Sequence, residues 1–141
     1  MGDSLAILFH LKEQLHYNLD VLEENYFKLE SYMGKKYARN IITEKKELIY
    51  ALDIQTTNLM NFNFDSSELF NPISEPWTNI LLFENSSSTT EIKHILDLFE
   101  CKLLAWVSER IIESCIDKIS YNILLEILIF SKERKDLLDT I

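Results

Sequence analysis

The sequence predicts an all-α fold, a helical bundle around one apolar core, and three observations carry that expectation. Apolar residues recur at three- and four-residue steps through three long segments, the period of helices that turn one face inward. Sustained strand alternation is missing. Gly and Pro number only two each, which suits helices joined by few turns. At 141 residues the chain has the size of a single domain, and a hydrophobic content of 47% is enough for a core. The expected organisation is N-terminal helices over 4–60, a connecting segment over 61–90 and C-terminal helices over 91–139.

The first segment shows the period most plainly. Leu8, Leu15, Leu22 and Leu29 recur every seven residues, and Leu19, Tyr26 and Met33 follow the last three of them by four. Asp3 or Ser4 is placed to cap its start. The positions flanking this seam include Phe9, Leu11, Asn18, Asn25 and Tyr32, where a leucine-zipper coiled coil would carry complementary charges. The wider stripe therefore reads as a bundle helix. Gly34 ends or bends it. A second helix follows over 36–60 with Ile41, Leu48, Leu52 and Leu59, so an αα-hairpin is the simplest geometry, and one long helix through Gly34 is the alternative.

Residues 61–90 are rich in turn formers, with Asn-Pro-Ile-Ser-Glu-Pro-Trp at 71–77 and Asn-Ser-Ser-Ser-Thr-Thr at 85–90. Phe62, Phe64, Leu69, Phe70, Trp77 and the run Ile80 to Phe83 need burial, so this long connection is expected to wrap across the bundle. It is also acidic: residues 65–100 hold Lys93 against seven carboxylates. Asp65 and Glu68 mark the start of one short helical turn. Ser88 with Glu91 is a capping-box signal for the next helix. Its stripe runs Ile92, Ile95, Leu96, Phe99, Leu103, Trp106, Ile111, Cys115 and Ile119, broadened by Leu98 and Ile112, and reads as the most buried in the chain. One helix from 91 to 139 would reach about 73 Å at 1.5 Å per residue, so a break is expected at Ser120-Tyr121-Asn122, with a final helix to about 138. Leu22, Leu103 and Trp106 are expected in the core.

The net charge of −9 argues against broad binding to nucleic acid or an anionic membrane, both of which need a positive field. Ile127 to Phe130 is the longest apolar run, far short of a membrane span. Absence of a secretory pattern points to cytoplasm or nucleus. Cys101 and Cys115 read as reduced thiols, because fourteen residues of helix separate them by roughly 21 Å, too far for a disulfide.

Catalytic signals are lacking: no phosphate-cradling glycine loop, zinc-protease His pair or nucleophile elbow occurs. His94, Asp97 and Cys101 share one helix face and have the chemistry to ligate a metal or to pair a thiol with a base. With no fourth ligand in view, the plainer reading is a surface His and Asp beside a half-buried Cys, and neither metal nor cofactor is assigned. His10 and His16 read as ordinary helix residues. Glu109, Glu113 and Asp117 form a like-charged row at four-residue spacing, read as solvated.

Two features suggest a protein partner. Tyr17, Val21 and Phe27 sit off the leucine seam, which implies either cover by the connecting segment or a contact surface. Lys28, Lys35, Arg39 and Lys46, with Tyr32, share a face if the helix continues through Gly34, and such a row is either solvated or suited to an acidic partner or a nucleic-acid backbone, the solvated face being the plainer reading. Partner contacts are accordingly expected at Tyr17, Val21, Phe27, Lys28, Lys35 and Arg39. Residues 104–111, Leu-Ala-Trp-Val-Ser-Glu-Arg-Ile, are similar to the Asn-Trp-Gly-Arg motif of Bcl-2 proteins in Trp106 and Arg110 alone. Ala105 replaces the Asn, the Gly is absent and the Trp–Arg spacing differs, so no residue role is carried over. The expected function is a non-enzymatic interaction or assembly subunit that pairs with another protein or with itself as an oligomer. The alternative is a groove-forming helical regulator, Bcl-2-like in kind, that captures an amphipathic helix.

Overall fold

A computed structural model describes residues 2–61, 76–78, 83, 85, 88–113 and 116–140. The described residues form an all-α bundle that includes five helices: α1 (Gly2–Glu24), α2 (Tyr26–Met33), α3 (Lys35–Met60), α4 (Thr89–Glu113) and α5 (Lys118–Thr140). No helix of the described residues is long and apolar enough to cross a membrane. The expected helical turn at Asp65, the apolar residues Phe62, Phe64, Leu69, Phe70 and Ile80 to Leu82, and Cys115 lie outside the described residues.

Each helix stops for a local reason. Gly34 has φ +88° and ψ 159°, a conformation open to glycine and strained for other residues, and this splits the long-helix alternative into a hairpin. Its N–H closes α2 on the Glu30 carbonyl at 2.8 Å, while its own carbonyl accepts from Ala38 and opens α3. An earlier bend at Asn25, with φ −111°, separates α1 from α2. There the backbone N–H and the side-chain Nδ2 both donate to the Val21 carbonyl, at 3.1 and 2.9 Å. Ser88 caps α4 as its spacing predicts, its Oγ accepting from Glu91 N–H at 3.2 Å.

The second break corrects the sequence reading. It falls at Ile116-Asp117, and Ser120 is a buried residue inside α5. Asp117 supplies the cap: its Oδ2 accepts from Ser120 N–H at 3.0 Å and from Gln55 Nε2 at 3.3 Å. Ser4 does not cap α1. Its Oγ accepts from Asp117 N–H at 3.2 Å, clipping the first helix to the last turn of the bundle. Burial works to raise the Asp117 carboxyl, but hydrogen bonds from Ser4 and Ser120 win and hold it below 3.8. Restarting α5 after the break also shifts its phase, which leaves Ile119 exposed, and Ile112 likewise faces outward. Helix α1, rather than α4, is the most deeply buried.

Cross-links define the topology. Lys12–Asp53 at 2.7 Å and Lys46–Glu23 at 3.7 Å set α1 antiparallel to α3. Lys135–Asp97 and Ser131–Glu100 contacts set α4 antiparallel to α5. Gln55 on Ser120, together with Glu44 on Arg134, makes α3 antiparallel to α5 as well. Helices α3 and α4 therefore run the same way, and the connection between them has to return along the length of the bundle. Its described residues do so beside α1 and α2: Trp77 N–H donates to Gln14 Oε1 at 3.0 Å, Asn18 Nδ2 donates to Thr78 Oγ1 at 2.7 Å, and the Phe83 carbonyl accepts from Lys28 Nζ of α2 at 3.0 Å.

The core has two apolar halves. One joins Leu5, Leu8, Leu11 and Leu15 to Leu48, Leu52, Phe99, Leu103, Leu124 and Ile127. The other joins Val21, Leu22, Leu29 and Met33 to Ile41, Phe83, Ile92, Ile95, Leu96 and Leu138. Between them lies a layer of buried polar groups. Glu100 accepts from Lys45 Nζ at 3.1 Å and from Ser131 Oγ at 2.5 Å, and Arg134 pairs with Glu44. Lys45 also lies 4.5 Å above the Phe99 ring. Burial pushes the Arg134 guanidinium down from 12.5 to about 10. Leu22 and Leu103 are core residues as expected, whereas Trp106 packs half-buried against the core edge.

Candidate interaction surface

The bends at Asn25 and Gly34 fold α2 back beside the start of α3, and a groove forms where they meet. Its volume is about 380 Å³, and Glu23, Tyr26, Arg39, Ile42 and Thr43 line it. Ile42 and the Tyr26 ring make it apolar, with Arg39 and Glu23 as charged walls. The Tyr26 hydroxyl itself is buried and has no hydrogen-bond partner among the described residues. Lys46 lies 3.7 Å from Glu23. Phe27, the next residue along, is 84% exposed. A bare aromatic beside a mixed apolar and polar groove is the composition of a contact surface.

The sequence-predicted residues divide. Arg39 lines this groove, Phe27 is exposed next in sequence to Tyr26, and Lys35 is exposed beside Gly34. Val21 is 1% exposed and packs inside the second half of the core, so it is removed from the surface. Tyr17 is half-buried against the same cluster. Phe83, from the connection, sits in that cluster too, which supplies the cover that Tyr17 and Val21 required. Lys28 is drawn to the Phe83 carbonyl, and because the helix does not continue through Gly34, it does not share a face with Lys35 and Arg39. Tyr32 turns inward, and burial first, then Asp139 and Asp97, raises its phenol above 10.0. Tyr26 and Thr43 were not singled out by sequence. Tyr26 reads there as one more member of the leucine seam, and only the turn-forming Asn25 beside it hints at a bend.

The His94, Asp97 and Cys101 face has a different occupant. Lys135 Nζ lies 3.2 Å from Asp97 Oδ1 and 2.8 Å from Cys101 Sγ, and His94 is exposed. Hydrogen bonding to Cys101, opposed by desolvation and reinforced by Asp97, raises the Lys135 ammonium above 10.5. Cys101 is exposed and unbridged rather than a packed structural thiol. No group of three or more metal-ligating side chains converges among the described residues. The acidic row is likewise dispersed: Asp117 caps α5, and Glu109 lies 3.6 Å from Arg110.

His10 is not an ordinary helix residue. Its ring stacks on Trp106 at 4.6 Å and meets Trp77 edge-on at 5.4 Å, and Arg110 lies 5.0 Å over Trp106. This cluster fastens the connection to α1 and α4. No protein-family model, curated protein or solved structure matches this chain.

Proposed function

We propose that this chain is a non-catalytic interaction or assembly subunit that binds a protein partner, or a second copy of itself, through helix packing at the α2–α3 corner. The observation that carries this reading is Phe27, left bare next in sequence to Tyr26, which lines the groove with Arg39. Burying apolar area contributes roughly 25 cal/mol per Å², and an aromatic anchor beside an arginine is a frequent centre of binding energy.

Light scattering after gel filtration at low micromolar concentration, on the wild type and on Phe27→Glu, tests it. The expected outcome is association, with itself or with a partner, that Phe27→Glu abolishes while the melting temperature stays unchanged. Undiminished association of Phe27→Glu with every partner would overturn the reading. The apolar floor of the groove favours one second reading, a regulator that captures an amphipathic helix. It predicts a stable monomer that binds such a helix and loses it on Arg39→Glu.

A further inference from the structure

The polar layer between the two halves of the core leaves two hydrogen-bonding atoms without a partner among the described residues. Asn18, 2% exposed, donates to Thr78 through Nδ2, but its Oδ1 accepts no hydrogen bond among the described residues. Arg134, 6% exposed, engages Glu44 through its terminal nitrogen, while its Nε is 3.9 Å from Glu100 Oε1, beyond hydrogen-bond reach, and is unpaired. One atom is an acceptor and the other a donor. Both residues line the same cavity of about 10 Å³, with Lys45, Glu100, Leu22 and Phe99 among its walls.

That volume is about one water-sized sphere, and nothing larger fits. A dry cavity of this size is stable when its walls are apolar, but here the walls present a carbonyl oxygen and a guanidinium N–H that are taken out of solvent. Unpaired groups of this kind are unfavourable, and a bridging water satisfies both at once. We infer that the cavity is a binding site for a single internal water, which accepts from Arg134 Nε–H and donates to Asn18 Oδ1. Glu100 stands in the same wall as an acceptor for the second water proton. The water thus ties the Asn18–Thr78 clip to the Glu100 network, making one hydrogen-bonded layer from α1 to α5.

Two measurements test this. Oxygen-17 relaxation dispersion counts long-lived waters, and Asn18→Leu, which fills the site and removes the acceptor, is expected to hold one fewer than the wild type. An equal count in the two proteins overturns the inference. In the wild type alone, the Nε–H proton of Arg134, one of only three arginines, is expected to show a direct cross-relaxation peak to a long-lived water. If Asn18→Leu does not fold, that peak decides: its presence supports the site and its absence overturns it.

Discussion

His10 lies between the two indoles of the chain, and burial lowers its basicity below 6.5, with Glu13 opposing and Arg110 assisting. The unfolded chain therefore takes up the imidazole proton first as pH falls. The His10 contribution to stability is full above 6.5, declines as pH drops from there to the folded value, and then levels off. Urea unfolding from pH 7 to 5 is expected to show this decline, and His10→Gln is expected to flatten it. Tryptophan fluorescence offers a second check, since both reporters touch the ring: a titration midpoint at or above 6.5 would contradict the assignment. Asp117 has the same sign in a more acidic window. Its carboxyl is held below 3.8, so its stabilisation is present above that value and lost as pH falls through the folded value. Asp117→Ala removes the α5 cap and is expected to cost about 1 kcal/mol, measurable by chemical denaturation, with Asp117→Asn retaining most of the cap.

Among the elements, the Gly34 turn makes the simplest prediction. Nothing lies within 4 Å of where a Cβ would stand, so Gly34→Ala meets no clash, and its cost is backbone strain alone. At φ +88° that strain is about 1–3 kcal/mol, expected as a lower urea midpoint with unchanged slope. A loss below half a unit would show that the turn relaxes. Gly34 was legible in the sequence because glycine is a local signal, and Ser88 with Glu91 was legible for the same reason. The α4–α5 break was not. Its cap, Asp117, is one acidic residue among several, and what selects it is Ser4, 113 residues away in the chain, together with Gln55 from α3. Local propensity carries no trace of such partners. Once the break moved, the apolar pattern after Ile111 changed phase, which is why Ile119 reads as core and stands exposed.

For the whole molecule, the central polar layer is the feature that sequence could have shown and did not. Lys45 lies between Ile41 and Leu48, Glu100 between Leu96 and Leu103, and Arg134 between Ile127 and Leu138, each at a three-, four- or seven-residue step within its apolar stripe. Reading the stripes through apolar residues alone hid a charge at one seam position of each of three helices. Removing Glu100 strands Lys45 in the core and leaves Arg134 only Glu44, so Glu100→Leu is expected to cost about 3–5 kcal/mol in equilibrium unfolding. The triple change Lys45→Met, Glu100→Leu, Arg134→Leu is expected to cost less than Glu100→Leu alone, because no fully buried charge is then left uncompensated, the Glu44 left by Arg134 being partly exposed to solvent. A triple variant less stable than the single one would mean the layer stabilises outright. Of the proposed interaction corner, Phe27 and Arg39 stand out in the sequence, while Tyr26 and Thr43 line the groove only because α2 folds back on α3.

The clip between Ser4 and Asp117 also sets an order of events during synthesis. Helix α1 is made well before α4 and α5, yet Leu5, Leu8 and Leu15 share a core with Phe99, Leu103, Leu124 and Ile127. At about 5–20 residues per second, translation of the intervening chain takes on the order of ten seconds. Through that interval α1 has α3 on one side and an uncovered leucine face on the other. The nascent chain therefore carries that apolar face exposed until its last hairpin emerges.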